Sequence, residues 1–519
     1  MKREYQVKDR LIELQVDEST VAVRFKEQTP KSVRASATNA PNVGKYGNRQ
    51  ELAHENFVLL PLIGPESGPT RFAAAAATIN AQSSVERVAQ VFRQGSKKLV
   101  ATDRLIVGFA AKASGIENIL QKFGLRTLEQ FGQNEFLLQT PANVDPIDVV
   151  NALAEEASVE YSEPDFVMIG KHIARRSASS HITTQLSPLS FGATTDPLTA
   201  EQYAIFITEA DLAWNTATGS PDIKIAILDE GIESSHPDLA DAIVGAYDAT
   251  DDDAWQEPET WDAHGTACAG LAAAIHWNGE GIRGVGGGCG IMAVRIAYSE
   301  APNGNWITTT NWIRRAIDWS TENGADVLSN SWGGGSYNQS IVQAFERARI
   351  HGRDGKGAVV VVAAGNDSSP VDFPGNLPDV LTVSASNEFD EFKTKTSQDG
   401  ETWWGSNFGP EIDVSAPGVH NVTTDITGNG GYSDTDYTDF NGTFSATPIV
   451  AGACGLLLSI DGDLIENEIR GILRDTADKV GQYSYDGERN DQMGHGRINV
   501  RRAVAKISSL NESSPFSGS

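Results

Sequence analysis

The sequence predicts an α/β domain with a doubly wound, mostly parallel β-sheet, preceded by a small α+β domain and a β-rich N-terminal segment. Residues 223–228 and 358–362 form near-continuous apolar runs, which are typical of parallel strands covered on both faces. Helical patterns at 310–323 and 340–350 lie among such strands. This alternation of strands and helices across residues 196–508 predicts the doubly wound sheet.

The N-terminal segment, residues 1–98, is predicted to be rich in β-strands. Residues 11–25 contain two runs of alternating apolar side chains, and the polar residues 17–19 between them predict a β-hairpin. Residues 27–50 are polar and contain prolines, which predicts a loop. An apolar patch at 57–62 follows. None of these features indicates a function.

Residues 99–170 are predicted to form a small α+β sandwich, because three strands alternate with two helices. The predicted strands are 105–109, 135–139 and 159–166, and the helices lie between them. Asp145 and Pro146 give the second helix a favourable start, since Asp accepts the free N–H groups and Pro suits the first turn.

The two remaining segments are predicted to lack secondary structure. Residues 171–195 form a linker rich in Ser and Thr, and residues 509–519 form a tail. The linker contains the pair Arg175-Arg176. A dibasic pair in an exposed linker is either a processing site or two solvated charges.

The formal net charge of -28 indicates a strongly acidic surface. Such a surface repels nucleic acid and anionic membranes, so we expect neither as a partner, and we expect a monomer. It tolerates bound cations such as Ca2+, although solubility alone could explain the acidity. Three cysteines, Cys268, Cys289 and Cys454, match neither a disulfide framework nor a zinc motif, which predicts small buried thiols.

The sequence also bears on cellular location. No apolar run of the signal-peptide type follows the basic start of the chain, and no run of about 18 apolar residues predicts a membrane span. We therefore expect a soluble protein and favour the bacterial cytoplasm, where thiols stay reduced. A periplasmic or secreted location stays open, because a leader could have been lost.

Three motifs follow one another in the large domain. The first ends a buried strand with Asp229, at the edge of the sheet where ligands bind. In the second, residues 262–270, His264 precedes a helix of small residues that permits close packing. In the third, residues 441–452, a loop leads into an apolar helix, whose N-terminus helps a nucleophile. Taken alone, Asp229 could form a turn and His264 could be structural.

Together, in the order Asp, His, nucleophile, these motifs resemble the subtilisin family of serine proteases, from residue 196 to about residue 507. The resemblance implies a subtilisin-like fold and the hydrolysis of peptide bonds in polypeptide substrates. It implies that Asp229 orients the imidazole of His264, which acts as general base and then as general acid. Asn366 would donate its side-chain amide to the developing oxyanion, although a turn Asn is the alternative.

A further motif concerns the substrate. Ser331-Trp332-Gly333 resembles the strand that pairs with an extended substrate and walls the primary specificity pocket, where glycine leaves room for a backbone. The residues after Asp229 are most similar to furin, kexin and the calcium-dependent proteases of cyanobacteria. That branch implies a preference for basic residues, but the acid expected near Ser336 is absent.

The resemblance also implies a calcium site, because two carboxylates with neutral oxygens suit a hard cation. The family positions correspond here to side-chain oxygens of Asp196, Asp238 and Asn278 and to carbonyl oxygens of Ile275, Ile282 and Gly284. The loop 275–284 is slightly longer than the family's usual loop, so a polar loop without an ion is the alternative.

Residues 99–170 resemble the family's propeptide, an intramolecular chaperone and inhibitor. The resemblance implies that the chain's own propeptide is a partner in cis, with its C-terminal tail in the active cleft. Cleavage would then fall between residues 171 and 196.

The nucleophile position departs from the family motif. Residues 442–448 match on both sides, but Phe444 stands where the family has its Ser, and Phe can form no acyl-enzyme. Ser445 lies about 100° further around the helix, so its hydroxyl is expected to point away from His264. We predict an endopeptidase precursor that is inactive in this form. An introduced substitution, a sequence error, and a natural pseudoprotease that binds peptides or regulates stay open.

Overall fold

The computed structural model describes residues 2–65, 68–94, 97–142, 144–171, 196–302 and 304–513. Residues 172–195 of the predicted linker, with Arg175 and Arg176, and the last residues of the predicted tail lie outside the described residues. The chain divides into two compact units. The small unit comprises Met1–His172, Ser299–Arg314 and Gly335–Val342, and the large unit comprises Ile173–Tyr298, Arg315–Gly334 and Gln343–Ser519.

The described secondary structure is as follows. The strands are β1 Lys2–Val7, β2 Arg10–Phe25, β3 Gln50–Leu52, β4 Phe57–Pro61, β5 Val85–Gln94, β6 Lys97–Phe109, β7 Arg126–Phe131, β8 Glu135–Gln139, β9 Val159–Lys171, β10 Lys224–Asp229, β11 Ile243–Asp248, β12 Gly290–Arg295, β13 Ala297–Ser299, β14 Asn305–Thr309, β15 Val327–Asn330, β16 Val359–Ala363, β17 Leu381–Ser386, β18 Val414–Pro417, β19 Asn421–Thr424 and β20 Tyr437–Phe440. The helices are α1 Lys31–Ala37, α2 Gly68–Asn80, α3 Ile116–Phe123, α4 Pro146–Leu153, α5 Tyr203–Ile207, α6 Ala210–Ala213, α7 His264–Ala273, α8 Thr310–Glu322, α9 Gln339–His351, α10 Thr443–Ile460, α11 Glu466–Thr476 and α12 Val500–Ser513.

The large unit is built on a parallel sheet with the strand order β11-β12-β10-β15-β16-β17-β18. The two apolar runs at 223–228 and 358–362 form β10 and β16, and every residue of β16 is buried. Helices connect these strands, so the predicted doubly wound α/β fold is confirmed. Cys268, Cys289 and Cys454 are buried free thiols, as predicted.

Helices α7 and α10 pack against each other in the core of the large unit. Small residues permit this approach, since a Cβ at Gly452 would come within 2.5 Å of the carbonyl oxygen of Ala272. Of the described helices, α10 alone has the length and apolar composition of a membrane span, and 83% of it is buried inside the protein. That burial is what a core helix requires.

The small unit is built on an antiparallel sheet, in which β14, β9, β6, β5, β2, β4 and β3 follow one another. β6, α3, β8, α4 and β9 occur in the order predicted for residues 99–170, and β7, which was not predicted, lies between α3 and β8. Asp145 caps α4 by accepting a hydrogen bond from the backbone N–H of Ile147 at 2.9 Å. β5 pairs with β6, so the sheet continues without a break into the N-terminal segment.

The hairpin predicted at 11–25 is wrong. These residues lie in one long strand, β2, whose antiparallel partner on one side is β1. The polar residues 17–19 remain within the strand, because Asp17 accepts a hydrogen bond from the backbone N–H of Ser19 at 3.0 Å and the pairing with β5 shifts register there. The loop predicted at 27–50 also contains α1.

Two stretches from later in the chain complete the small unit. β14 pairs with β9, and two carboxylates of β9 cap the helices that follow. Asp165 accepts a hydrogen bond from Asn311 N at 3.0 Å, near the start of α8. Glu163 accepts hydrogen bonds from Gln339 N and Ser340 N at 2.8 and 2.9 Å, at the start of α9. Both carboxylates are fully buried and satisfy helix N–H groups that would otherwise lack partners.

Candidate active site

Asp229 and His264 meet where β10 ends and α7 begins. The two carboxylate oxygens of Asp229 lie 2.8 and 2.9 Å from Nδ1 of His264. Asp229 also accepts a hydrogen bond from Glu230 N at 2.9 Å, which fixes its carboxylate. With Nδ1 bonded to Asp229, Nε2 is the imidazole atom that can exchange a proton with a nucleophile.

A close backbone approach brings these two side chains together. A Cβ at Gly265 would lie 2.2 Å from the carbonyl oxygen of Gly231 and 3.1 Å from Cβ of Asp229. Gly231 itself has a φ of +94°, which favours glycine. The two glycines therefore allow α7 to begin directly against the loop that follows β10.

Phe444 lies beside His264, near the start of α10. Its ring meets the imidazole edge-on, with ring centroids 5.4 Å apart at 73°. Phe440 contacts the imidazole in a similar way, at 5.1 Å and 80°. The backbone carbonyl of Phe444 accepts a hydrogen bond from the hydroxyl of Ser331 at 2.9 Å. The structure thus brings position 444 to the Asp229–His264 pair, where its side chain supplies only carbon.

Ser445 does not replace the nucleophile in this arrangement. Its side chain is fully buried. Its hydroxyl donates to the carbonyl of Gly442 at 3.1 Å and accepts from the amide of Asn421 at 3.0 Å. Because its one proton is already donated, the hydroxyl is not set to give that proton to His264.

Asn366 has the arrangement expected of an oxyanion donor. Its Oδ1 accepts hydrogen bonds from the backbone N–H of Thr443 at 2.8 Å and from its hydroxyl at 3.1 Å. Its Nδ2 is buried without a hydrogen-bond partner among the described residues. An unpaired buried donor is costly, and this one is free to bind an acceptor that the described residues do not supply.

The three predicted substrate-binding residues have different surroundings. Ser331 donates to Phe444, as described above. A Cβ at Gly333, which is partly exposed, would lie no closer than 3.5 Å to its nearest neighbour, the carbonyl oxygen of Phe373. Trp332 is 7% exposed and stacks on Phe345 with centroids 6.3 Å apart. The side chain of Trp332 therefore belongs to the core, while Gly333 is not crowded by its neighbours.

Asp196, the first predicted calcium ligand, is bonded to protein groups. Its carboxylate accepts hydrogen bonds from Trp277 N at 2.8 Å and Gly279 N at 3.0 Å. It also forms a buried ion pair with the guanidinium of Arg283. A protein cation therefore already balances the carboxylate that was predicted to bind Ca2+.

The other predicted ligands are engaged in the same way. Asp238 accepts hydrogen bonds from the side-chain amide of Asn278 at 2.8 Å and from Ile282 N at 2.9 Å. Oδ1 of Asn278 accepts from Glu280 N at 3.0 Å. The amide of Asn278 thus presents a donor, not an oxygen, to the carboxylate.

A neighbouring histidine engages the last predicted ligand. The carbonyl of Gly284 lies 2.6 Å from Nε2 of His276, which donates to it. Ile275 instead donates its N–H to the carbonyl of Asp238 at 3.0 Å. These contacts do not match the coordination that the resemblance implies, and the calcium site stays a prediction. The sequence signal for this difference was Arg283, which follows Ile282 directly.

Glu230 is a buried group that the sequence analysis did not single out. It is fully buried, and burial together with the charges of Asp262 and Asp229 raises its pKa well above the usual value. Burial and the neighbouring carboxylates therefore disfavour a second negative charge beside the Asp229–His264 pair. Its place after Asp229 was visible in the sequence, but its burial was not.

Cys268, one of the buried thiols, also lies beside this pair. Its Sγ lies 3.8 Å from Nδ1 of His264, and among the described residues Asp229, His264 and Cys268 have the spacing of metal ligands. Burial raises the pKa of the Cys268 thiol well above its usual value, whereas a metal requires the thiolate. This trio therefore does not fit a resident metal.

Comparison with family models assigns both parts of the chain. The model of the subtilase family matches residues 220–496. The model of the fervidolysin N-terminal prodomain matches residues 86–165. The first match contains Asp229, His264, Asn366 and Phe444, and the second lies within the small unit.

Individual proteins are similar over different lengths. Thermitase from Thermoactinomyces vulgaris is 36% identical over 60% of this chain and 98% of its own length. A calcium-dependent protease from a Nostoc species is 30% identical over 78% of this chain, which spans 63% of that protein. A Natrialba magadii protein named as an extracellular serine protease is 33% identical over 60% of this chain and 52% of its own length.

One solved structure supports the fold. Fervidolysin from Fervidobacterium pennivorans aligns with a TM-score of 0.62 and 23% identity, over 80% of this chain and 62% of its own. At that identity the likeness concerns the fold alone.

The Arg283–Asp196 ion pair should stabilise the large unit without calcium. Arg283→Gln leaves a buried carboxylate without its cation, so the free energy of unfolding should fall by about 3 kcal/mol. Urea unfolding measures this change, with Arg501→Gln, at an exposed arginine, as the control. A stabilisation by calcium that Asp238→Asn abolishes would contradict this account.

His276 should make the protein sensitive to acid. Burial lowers its pKa from 6.5 to about 4, so the folded protein resists a proton that the unfolded chain accepts. Its contribution to stability is complete above pH 6.5 and is lost as pH falls to about 4, a loss of about 3 kcal/mol.

His276→Phe keeps an aromatic ring against Trp214 but removes the titrating group. Chemical unfolding at pH values from 7 to 4 should therefore give a shallower loss of stability for this variant than for the unaltered chain. His351→Gln, at an exposed position, should follow the unaltered chain. If stability falls equally with pH in all three proteins, His276 is not the group responsible for the sensitivity to acid.

Proposed function

We propose that this chain, which belongs to the subtilase family of serine proteases, is the precursor of an endopeptidase that Phe444 leaves unable to cleave peptide bonds. The observation that carries the proposal is the convergence of three groups on position 444. His264 is oriented by Asp229, its ring contacts Phe444, and the buried amide of Asn366 is held by the neighbouring Thr443.

The chemistry follows from a serine at position 444. Its hydroxyl would attack the substrate carbonyl and pass its proton to Nε2 of His264, while Asp229 stabilises the imidazolium. Nδ2 of Asn366 would donate a hydrogen bond to the oxyanion. His264 would then protonate the leaving amine, and water would release the acyl group by the same route.

Phe444 removes the first of these steps. Carbon offers neither a lone pair for attack nor a proton for His264. In subtilisin, loss of the nucleophile lowers kcat by roughly 10⁶. The remaining groups still form a site that accepts a peptide and its carbonyl oxygen.

One observation favours a second candidate, a pseudoprotease that binds peptides. The ring of Phe444 is accommodated in the site, since it packs on His264 and on the apolar core of the large unit. In that case the cleft binds a peptide without cleaving it, even when the peptide binds tightly.

The region matched by the prodomain model supports a propeptide that acts in cis. We infer that its C-terminal tail occupies the cleft and that processing falls between residues 171 and 196, which lie largely outside the described residues. Calcium stays a proposal taken from the name of one similar protein, with no ligands assigned to it. Because another is named extracellular, we propose a secreted location in place of the cytoplasm.

Phe444→Ser should convert the precursor into a self-cleaving enzyme. With calcium present, intact-mass measurement should show a cut between residues 171 and 196, and the product should digest unfolded casein. Phe444→Ala and the double variant Phe444→Ser with His264→Ala should remain full length. A folded Phe444→Ser protein that stays uncut and inactive would favour the pseudoprotease.

A further inference from the structure

The turn between β3 and β4 in the N-terminal segment contacts a stretch of chain that lies far away in sequence. Ala53 donates its backbone N–H to the carboxylate of Glu300 at 2.6 Å. The ring of His54 meets that of Trp312 edge-on, with centroids 6.2 Å apart at 81°. Two consecutive residues of one turn thus contact the stretch that contains β14 and the start of α8.

The next residue of the turn belongs to a buried network of charged side chains. Glu55 is 3% exposed and accepts a hydrogen bond from Arg104 at 2.6 Å. Arg104 also donates to Asp165 at 2.7 Å, and Asp165 accepts from Asn311 N at 3.0 Å. Glu55 therefore supports, through Arg104, the carboxylate of β9 that caps α8.

A second contact reaches the other late stretch of the small unit. The guanidinium of Arg10, on β2, lies 4.1 Å from the ring centroid of Tyr337. Gln94, at the end of β5, accepts a hydrogen bond from the hydroxyl of Ser336. The N-terminal segment therefore touches both stretches that β9 caps.

We propose that residues 2–85, which precede the matched region, are a second arm of the prodomain that holds the stretches 299–314 and 335–342 in addition to the contacts that β9 makes. The arm shares one continuous sheet with the matched prodomain, so it can act on these stretches without a hinge. Its role, which rests on the proposed function, is to keep the cleaved prodomain bound and so prolong inhibition.

Hydrogen exchange tests the contacts on the unaltered Phe444 chain. His54→Ala and Glu300→Ala change partly exposed residues and should leave the fold intact. In each variant, amides of residues 300–314 should exchange about fivefold faster or more, the factor expected for the loss of one hydrogen bond or one ring contact. Exchange in β4 should not change. Glu13→Gln, which breaks only an exposed ion pair on β2, is the matched control.

Rates at 300–314 equal to those of the control would overturn the proposal. Glu55→Gln provides a second test. It weakens the hydrogen bond that holds Arg104 beside Asp165, so amides at the start of α8 should exchange faster. If only β4 and the turn itself become labile, the arm stabilises itself and the proposal also fails.

A kinetic experiment in a Phe444→Ser background tests the inhibitory role. The prodomain of the His54→Ala and Glu300→Ala variants should leave sooner after self-cleavage, which shortens the lag before activity several-fold relative to Glu13→Gln. An unchanged lag overturns the inhibitory role. If Phe444→Ser never cleaves itself, the proposed function fails, while the exchange result still decides the contacts.

Discussion

The hydrogen bond between Asp229 and His264 depends on how closely two backbone segments can approach. A single added carbon at Gly265 would collide with the carbonyl of Gly231, and the start of α7 would move away from the end of β10. A shift of about 1 Å at such a site costs a large part of the rate. The buried parallel sheet and the small residues of α7 and α10 keep the start of α7 close to the end of β10. The hydrogen bond between Asp229 and His264 therefore depends on the packing of the core.

The supports around position 444 belong to its neighbours and its backbone. Ser331 binds the carbonyl of Phe444, and Thr443 orients Asn366. None of these bonds uses the side chain of residue 444. A phenylalanine can therefore occupy position 444 while the imidazole of His264, the amide of Asn366 and the start of α10 keep their places. A change of the side chain at position 444 is therefore compatible with the surrounding architecture.

The sequence indicated the parallel sheet and the residues around position 444, because apolar runs and short motifs record local requirements directly. It did not indicate which partner a charged side chain would take. The carboxylate of Asp196 has a predicted metal role, yet its partner is Arg283, which depends on the path of a loop in three dimensions. Likewise, the polar residues 17–19 look like a turn, but Asp17 satisfies their backbone within a continuous strand.

We propose that the site lacks only the nucleophile at position 444. A fluorophosphonate probe, which bonds covalently to an activated serine, tests it most directly when combined with peptide mapping of the labelled residue. The unaltered chain should take up no probe, and a chain with serine at position 444 should carry one probe, on that residue. Labelling of the unaltered chain at Ser445, or no labelling of the folded serine variant, would contradict the account.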